Sequence, residues 1–250
     1  MSFKCYAWYV RGQKHAKLAE VSMAAVCRVD RYAELLVATD DPEVTVPGAR
    51  MVRFEPGLPL MLANIEAQLQ VMWCRSLTQI VFLDTDVLFL KPFPDQLDEA
   101  LVVTWRDTVG GTIKDIKGGV ADVMPYNYGV MSVVPGLRTL EAFTWMRERV
   151  RRMAPGLQLW WGNQIALSSL CGPRPEGVDE IGMRAIPWLL YEAGMQVKVR
   201  KLAGDTWNYT PRDEHEDLSE RGAVHFKGHT REWMKTCALR LELPWLEEAV

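Results

Sequence analysis

Residues 80–90, Ile-Val-Phe-Leu-Asp-Thr-Asp-Val-Leu-Phe-Leu, place two aspartates, Asp84 and Asp86, inside an otherwise apolar run. The first four residues are typical of a strand that is buried on both faces, as parallel strands usually are. Residues two apart in an extended chain point to the same side, so both carboxylates can face one ion. Charges between buried apolar segments are costly unless something pairs them. The stretch therefore predicts a buried strand that ends at a cation site. The alternative interpretation is an ordinary turn after a strand.

The sequence on either side of this stretch alternates strand patterns with helix patterns. In chain order, the predicted elements are a strand over 4–10, a helix over 17–29, strands over 34–39 and 51–54, a helix over 60–73, strands over 80–83, 87–90, 101–105 and 128–134, helices over 137–153 and 160–170, strands over 195–202 and 223–226, and a helix over 239–250. A β-α-β order favours parallel strands with right-handed crossovers. We therefore expect a single α/β domain over residues 1–250, with a mostly parallel central sheet flanked by helices.

The composition excludes several classes of protein. At 48% hydrophobic and 24% charged residues, the chain is typical of a folded protein rather than a disordered one. Its net charge of -3 argues against a general nucleic-acid binder. Five scattered cysteines without a CxxC pair argue against a disulfide scaffold and a zinc site, and favour a reducing compartment. No apolar stretch reaches the roughly 20 residues of a membrane helix, and residues 1–15 do not resemble a signal peptide. We expect a soluble protein of the cytoplasm of a bacterium or of a phage-infected host cell.

A second motif lies in residues 224–233, Val-His-Phe-Lys-Gly-His-Thr-Arg-Glu-Trp. His225 offers an imidazole ligand for a metal. Gly228 lets backbone N–H groups approach a phosphate, and Arg231 adds a forked cation. Together these groups suit a diphosphate bound to a metal ion, whereas the alternative interpretation is a surface turn with an ordinary histidine.

Taken in order, the motifs resemble those of the GT-A fold glycosyltransferases. Within that fold they resemble retaining family 8, which includes glycogenin and bacterial lipopolysaccharide galactosyl- and glucosyltransferases. The matching segments, in chain order, are residues 80–90, Asn-Tyr-Gly-Val-Met at 127–131, Gly-Asn-Gln at 162–164 and the histidine motif up to Trp233. The chain departs from the family at Arg231-Glu232, where the family has Lys-Pro, and at Asn163, where the family has Asp. Asn64 and Gln68 occupy the region of a sugar-binding Lys or Arg.

The resemblance implies a role for each matching residue. Asp84, Asp86 and His225 would bind Mn²⁺ or Mg²⁺. The residues implied in binding the nucleotide-sugar, a UDP-sugar, are Ala7 and Asp40 near the nucleobase, Asn127 near the sugar, Thr85 between the aspartates, and Gly228 and Arg231 at the diphosphate. Gln164 beside the anomeric carbon, Asn163 and Arg231 are the implied catalytic residues.

The resemblance thus implies a metal-dependent transfer, with retention, from a UDP-sugar to a hydroxyl of a saccharide or glycolipid. Three alternatives stay open. One is a phage-type glycosyltransferase that acts on a hydroxymethylated base in DNA, suggested by a basic helix end with arginines at positions 147, 149, 151 and 152. The others are a non-catalytic nucleotide-sugar-binding protein and a nucleotidyltransferase, for which the segment after the first strand is a poor match. Trp160 and Trp161 fit either a core position or a platform for a sugar ring or a base. The Gly-rich segment 109–120 fits a lid or a plain connection.

Overall fold

Residues 4–74, 79–96, 99–105, 124–172, 184–185 and 197–245 are described by a computed structural model. The proposed lid at 109–120 lies outside these residues. In the described ranges, the elements are β1 (Lys4–Tyr9), α1 (Gln13–Val29), β2 (Glu34–Thr39), β3 (Arg50–Arg53), α2 (Leu60–Trp73), β4 (Gln79–Leu83), β5 (Val87–Phe89), β6 (Leu101–Trp105), β7 (Tyr126–Val133), α3 (Leu137–Arg151), α4 (Pro155–Leu159), α5 (Gly162–Cys171), β8 (Arg184–Ala185), β9 (Lys198–Leu202), α6 (Gly204–Trp207), β10 (Ala223–His225), a 3₁₀ turn (Gly228–Thr230) and α7 (Arg231–Arg240).

Eight of the described strands form one sheet in the order β3-β2-β1-β4-β7-β6-β9-β8. Strands β3, β2, β1 and β4 are parallel to one another, and β6 and β9 run in the same direction. Strands β7 and β8 run in the opposite direction. The prediction of a mostly parallel sheet is therefore confirmed. Strand β4 lies between β1 and β7, and this central position explains why residues 80–83 are all apolar.

Helices cover both faces of the sheet. Successive residues of the central strands therefore pack into two different cores. In β1, Cys5 and Ala7 pack in the core beneath α2, α3 and α5, whereas Tyr6 and Trp8 pack in the core beneath α1. All four side chains are at most 1% exposed. A third cluster joins the outer face of α1 to the small sheet of β5 and β10 and to α7. The described residues from Tyr209 to Leu243 are thereby attached next to the end of β4.

The start of α1 and the helix near the carboxyl end differ from their predicted bounds. Helix α1 begins at Gln13 rather than at residue 17, since Gly12, at φ 81°, makes the turn out of β1. The predicted helix start at residue 239 is wrong, because a helix spans Arg231–Arg240 and residues 241–245 are not helical; the rest of the predicted helix, 246–250, lies outside the described residues. Helix α7 ends where Glu242 adopts a left-handed φ of 56° and the Leu243 amide bonds back to the Ala238 carbonyl.

Helix α5 begins at Gly162, so that Trp160 and Trp161 precede it instead of forming its first turn. None of the helices in the described ranges combines the length and the apolar character that crossing a bilayer requires.

Candidate metal centre

Three of the predicted site residues meet at the carboxyl end of β4. Asp84 and Asp86 follow this strand directly, and β5 begins at Val87. Strand β5 pairs with β10 so that Val87 lies opposite His225, and the Phe226 amide donates to the Asp86 carbonyl at 2.9 Å. The antiparallel pairing therefore brings His225 beside the two aspartates.

The side-chain atoms of this cluster have the spacing of ligands to one ion. His225 Nε2 lies 3.0 Å from Asp86 Oδ1 and 3.5 Å from Asp84 Oδ2, and one ligand atom from each residue lies within 4.8 Å of the others. Adjacent ligands of an octahedral ion at about 2.1 Å are separated by roughly 3 Å. Two carboxylates and an imidazole are acceptable donors for Mn²⁺ or Mg²⁺. The residues present therefore fit the predicted ion.

The two aspartates differ in their surroundings. The side chain of Asp86 is 4% exposed, and its Oδ2 accepts a hydrogen bond from Arg231 Nε at 2.7 Å. Burial alone would raise the pKa of Asp86, but the charges and hydrogen bonds of His225 and Arg231 outweigh burial and hold this pKa below its ordinary value. The side chain of Asp84 is more open, with 40% of its surface accessible. The protein atoms packed around it and the Asp86 charge nevertheless raise the pKa of Asp84. Two anions this close favour a bound cation.

A bulge in β7 makes room for the cluster. The pairing of β6 with β7 shifts between Val103 and Thr104, which leaves residues 128–130 of β7 out of the ladder. The amide of Gly129 bonds to Asn127 Oδ1 at 2.7 Å, and its carbonyl accepts from the Asp84 amide at 2.9 Å. A Cβ at position 129 would lie 2.2 Å from His225 Cε1 and 2.7 Å from Asp84 Oδ2. The glycine in the Asn-Tyr-Gly-Val-Met segment is therefore required by its close approach to the site.

A cleft lies beside Asp84 and is lined by residues of β1, α2 and β7, including Ala7, Asn64, Gln68 and Tyr128. Ala7 is 1% exposed and contributes a small side chain to the cleft wall. The Tyr128 hydroxyl donates to Gln68 Oε1, and Gln68 Nε2 donates to Asn64 Oδ1 at 3.1 Å. Burial raises the pKa of Tyr128 well above its ordinary value, so this hydroxyl remains a donor. Asn64, Gln68 and Tyr128 therefore form a neutral network next to Asp84.

Asp40, predicted near the nucleobase, lies at the carboxyl end of β2. Its carboxylate forms an ion pair with Arg11 and accepts a hydrogen bond from the Tyr9 hydroxyl at 3.0 Å. Arg11 also donates to the Leu58 carbonyl at 3.0 Å. Burial opposes ionisation here, but the Arg11 and Tyr9 hydrogen bonds more than compensate and lower the pKa of Asp40. The carboxylate therefore holds β1, β2 and the segment before α2 together.

His15 is a candidate site residue that the sequence analysis missed. Its Nδ1 lies 3.3 Å from the hydroxyl of Thr85, the residue that separates the two aspartates in the sequence. This contact places the first turn of α1 against the candidate metal centre, and burial and the nearby Arg231 lower the pKa of His15. The predicted helix start at residue 17 leaves His15 in the loop before α1, where no contact with Thr85 is expected. A helix beginning at Gln13, directly after β1, would have placed His15 at the carboxyl edge of the sheet.

The remaining predicted residues lie on two other elements. Gly228, at φ 57°, opens the 3₁₀ turn between His225 and Arg231; this φ favours glycine, and a Cβ there would meet nothing within 4 Å. Asn163 and Gln164 lie in the first turn of α5, which packs against β7. Asn163 is buried, and its Oδ1 accepts from the Gln164 amide at 2.8 Å.

The two tryptophans before α5 are open to solvent. Trp160 is 63% exposed and Trp161 is 39% exposed. Trp161 adopts a backbone φ of 74°. Residues other than glycine rarely adopt this conformation, and those that do are often found at functional sites. These residues are therefore surface groups rather than the core positions that were the alternative interpretation.

The basic helix end on α3 is partly neutralised by its neighbours. Arg147 contacts Glu66 at 2.9 Å and Glu148 at 3.5 Å, and Arg151 contacts Glu148 at 2.7 Å. The guanidinium of Arg149 stacks on Trp145 at 5.4 Å from the ring centre. The charge available to a phosphate backbone is smaller than the sequence indicates.

Comparison by sequence finds no match, neither among protein-family models nor among curated proteins. Comparison by structure finds several similar folds. A glycosyltransferase involved in the glycosylation of the major capsid of PBCV-1 has a TM-score of 0.58 and 15% identity, over 93% of this chain and 98% of that chain. The galactosyltransferase LgtC, in complex with donor and acceptor sugar analogues, has a TM-score of 0.51 and 14% identity over 98% of both chains. GlyE of Streptococcus pneumoniae TIGR4 has a TM-score of 0.52 and 9% identity, over 94% of this chain and 60% of its own length. The fold is therefore that of the GT-A glycosyltransferases.

Proposed function

We propose that residues 1–250 form a single metal-dependent glycosyltransferase domain that moves a sugar from a UDP-sugar to a hydroxyl group of a saccharide. The observation that carries the proposal is the cluster of Asp84, Asp86 and His225 at the carboxyl end of a central strand. This edge is where open α/β sheets bind their ligands. The order of the sequence motifs supports family 8 as the family and retention as the stereochemical outcome. The cytoplasm remains the proposed location, on the composition argument above.

The residues at the metal centre divide into ligands of the ion and groups that contact the nucleotide. Asp84, Asp86 and His225 would hold Mn²⁺ or Mg²⁺, which, when bound, acts as a Lewis acid on the departing diphosphate. Arg231 brings a cation on a side chain that is 46% exposed and can turn from Asp86 to a phosphate oxygen. His15 and Thr85 lie against the same edge, and we assign them to the binding of the nucleotide.

The donor sugar would lie beside Asp84, against the narrow cleft between β1, α2 and β7. Asn64, Gln68 and Tyr128 offer neutral hydrogen-bonding groups there. Gln164 and Asn163 supply amides at the start of α5 where the family has a carboxylate at position 163. A covalent intermediate on residue 163 is thus excluded by its chemistry, because an amide is not a nucleophile of this kind. With retention, the acceptor hydroxyl approaches from the face that the diphosphate leaves and can pass its proton to the phosphate.

A saccharide is favoured as acceptor by the surface near the cleft. Strand β7 is antiparallel to β4 and so ends at the sheet edge opposite the metal centre. Helix α3 starts there and returns toward the metal centre. Near its end, Arg147 pairs with Glu66 of α2, the helix that lines the cleft. Trp160 and Trp161 follow α3 at this end. Exposed indole rings are suited to stack on the apolar faces of sugar rings. The partly paired arginines of α3 weaken the case for DNA.

The test is a UDP-release assay over a panel of UDP-sugars with Mn²⁺, with either saccharides or hydroxymethylated DNA as acceptor. We expect release that requires the metal and rises with a saccharide. Asp86→Asn should abolish it, whereas Asp95→Asn should not, because the Asp95 side chain is 63% exposed and pairs with Lys4. Stimulation by DNA alone would replace the saccharide acceptor with the DNA alternative. UDP and Mn²⁺ binding without turnover would leave a non-catalytic binding protein.

A further inference from the structure

The buried side chain behind His225 belongs to Asn208. His225 Nδ1 lies 2.8 Å from Asn208 Oδ1, on the side of the ring opposite the two aspartates. Asn208 is 5% exposed and His225 is 4% exposed. We propose that Asn208 is a positioning residue that fixes the tautomer and the ring orientation of His225, so that Nε2 is the metal-binding atom. The inference rests on the metal centre proposed above.

The direction of the hydrogen bonds is set by a third residue, Thr104. Its hydroxyl donates to the Val130 carbonyl at 3.2 Å, and its oxygen accepts from Asn208 Nδ2 at 2.8 Å. With the amide nitrogen of Asn208 directed to Thr104, the amide oxygen faces His225. An amide oxygen is only an acceptor, so Nδ1 of His225 must carry a proton. In the neutral ring, the lone pair then lies on Nε2, which faces Asp84 and Asp86.

The network begins at the bulge in β7. Because β6 and β7 lose their pairing at residues 128–130, the Val130 carbonyl lacks its ladder partner on β6 and takes the Thr104 hydroxyl instead. The same bulge carries Gly129, which makes room for His225. One irregularity in the sheet therefore provides both the space for the metal-binding ring and the anchor for the residue that orients it.

The backbone holds Asn208 in a fixed position relative to β10. The Asn208 amide closes helix α6 on the Gly204 carbonyl at 2.9 Å. Its neighbour Tyr209 accepts from the His225 amide at 2.7 Å and donates to the Ala223 carbonyl at 3.1 Å. Asn208 and His225 therefore move together, and the hydrogen bond between their side chains has little freedom to rearrange.

The inference predicts an order of metal affinities among three variants. Asn208→Leu keeps the approximate volume but removes the acceptor, and should weaken Mn²⁺ binding by about 10- to 100-fold. Asn208→Asp keeps an acceptor for Nδ1–H and should bind Mn²⁺ within about threefold of wild type, since carboxylates often support metal-binding histidines. Thr104→Val removes the group that orients the Asn208 amide and should give an intermediate loss.

The experiment measures Mn²⁺ binding by electron paramagnetic resonance, together with the ¹⁵N shifts of the histidine ring nitrogens in Mg²⁺. The chain has four histidines, so that a His225→Gln variant suffices to assign the relevant signals. We expect wild type and Asn208→Asp to show Nδ1–H at His225, and Asn208→Leu to show a mixture of tautomers. Thermal melts without added metal identify any variant that fails to fold, and Thr104→Val then carries the test.

Two negative results have different meanings. Wild-type protein that binds neither Mn²⁺ nor Mg²⁺ would overturn the proposed metal centre itself. Wild-type protein that binds Mn²⁺, with folded Asn208→Leu and Thr104→Val that bind it equally well and keep the wild-type ring shifts, would overturn the role of Asn208 alone.

Discussion

The guanidinium of Arg231 forms an ion pair with the carboxylate of Asp86, with 2.7 Å between Nε and Oδ2. A divalent ion at the metal centre would use the same carboxylate. The cation and the arginine therefore compete for Asp86 unless a third group takes the arginine. The diphosphate of a nucleotide-sugar is such a group, because it offers oxygens that Arg can bind with its fork of N–H donors. We expect metal and nucleotide to bind with positive coupling.

Arg231→Gln should separate these two effects. Without nucleotide, the variant should bind Mn²⁺ severalfold more tightly than wild type, because the competing charge is gone. With a UDP-sugar, its kcat should fall by about 10²- to 10³-fold, the usual cost of losing one preorganised group that stabilises developing charge. Titration with Mn²⁺ and steady-state kinetics measure the two quantities. Arg240→Gln, in the last turn of the same helix, serves as the control and should change neither. Weaker Mn²⁺ binding by Arg231→Gln would contradict the competition.

Gly129→Ala should damage the metal centre more than the fold. The added Cβ would lie 2.2 Å from His225 Cε1 and 2.7 Å from Asp84 Oδ2, so one ligand must move. We expect at least a tenfold loss of Mn²⁺ affinity and a fall of about 1–3 kcal/mol in the free energy of unfolding. Gly156→Ala is the matched control, because a Cβ there meets nothing within 4 Å. An alanine at position 129 that leaves Mn²⁺ affinity unchanged would show that the close approach is irrelevant to binding.

Several elements could be predicted to the residue from sequence. Strand β2 at Glu34–Thr39, helix α2 at Leu60–Trp73 and strand β6 at Leu101–Trp105 have their predicted bounds, because turn or polar residues interrupt a clear apolar pattern at each end. The helix start expected at residue 239 is wrong, because Leu239 belongs to the end of α7 and Leu243 to the segment that caps it. Capping by a non-glycine residue with positive φ, here Glu242, has no sequence signal.

Trp161→Gly should keep the fold while weakening the acceptor complex. Glycine adopts a φ of 74° without strain, so relief of strain offsets part of the lost packing and the free energy of unfolding should stay within about 1 kcal/mol of wild type. Loss of stacking worth roughly 1 kcal/mol should raise the acceptor KM about fivefold to tenfold. The donor KM should not change.

Trp73→Gly provides the comparison for this variant. Trp73 is 70% exposed at the far end of α2, away from the cleft, and its replacement should leave the acceptor KM unaltered. Equal acceptor KM values for wild type and Trp161→Gly would rule out the tryptophan platform.

Asp40→Asn should reduce stability at neutral pH but not at low pH. The pKa of Asp40 is lower in the folded protein than its ordinary value, so the ionised form favours folding. This contribution is complete above about pH 4 and is lost as the pH falls through the folded-state pKa. Because about a third of the Arg11 side chain is exposed, we expect a difference of only about 1–2 kcal/mol at pH 7. Urea unfolding of both proteins between pH 7 and pH 3 measures it.

Asp41→Asn controls for the loss of a charge at the next position, since Asp41 accepts from the Glu43 amide rather than pairing with Arg11. If the stability difference between wild type and Asp40→Asn is the same at pH 3 as at pH 7, the ion pair does not supply it.

The candidate site was less completely predictable than the fold. Asp84, Asp86 and His225 could be selected because each lies in a motif whose residue types suit a metal. Asn208 and Thr104 could not, because their importance lies in what they contact: residues 17 and 26 positions away for the two hydrogen bonds that define them. His15 could be placed at this edge only with the correct start of α1, at Gln13. A single asparagine or threonine in a strand or loop carries no pattern that separates a supporting role from any other.

The pairing of β5 with β10 also sets when the three candidate metal ligands can meet. Asp86 and Arg231 are 145 positions apart, and His225 reaches the aspartates only after the last strand has folded back beside β5. Until a ribosome has added residues 225–231, the two aspartates have neither the His225 ring nor the Arg231 guanidinium beside them. Assembly of the proposed metal centre is thus delayed until residues 225–231 have been made, so a nascent chain that stops before them would lack both side chains.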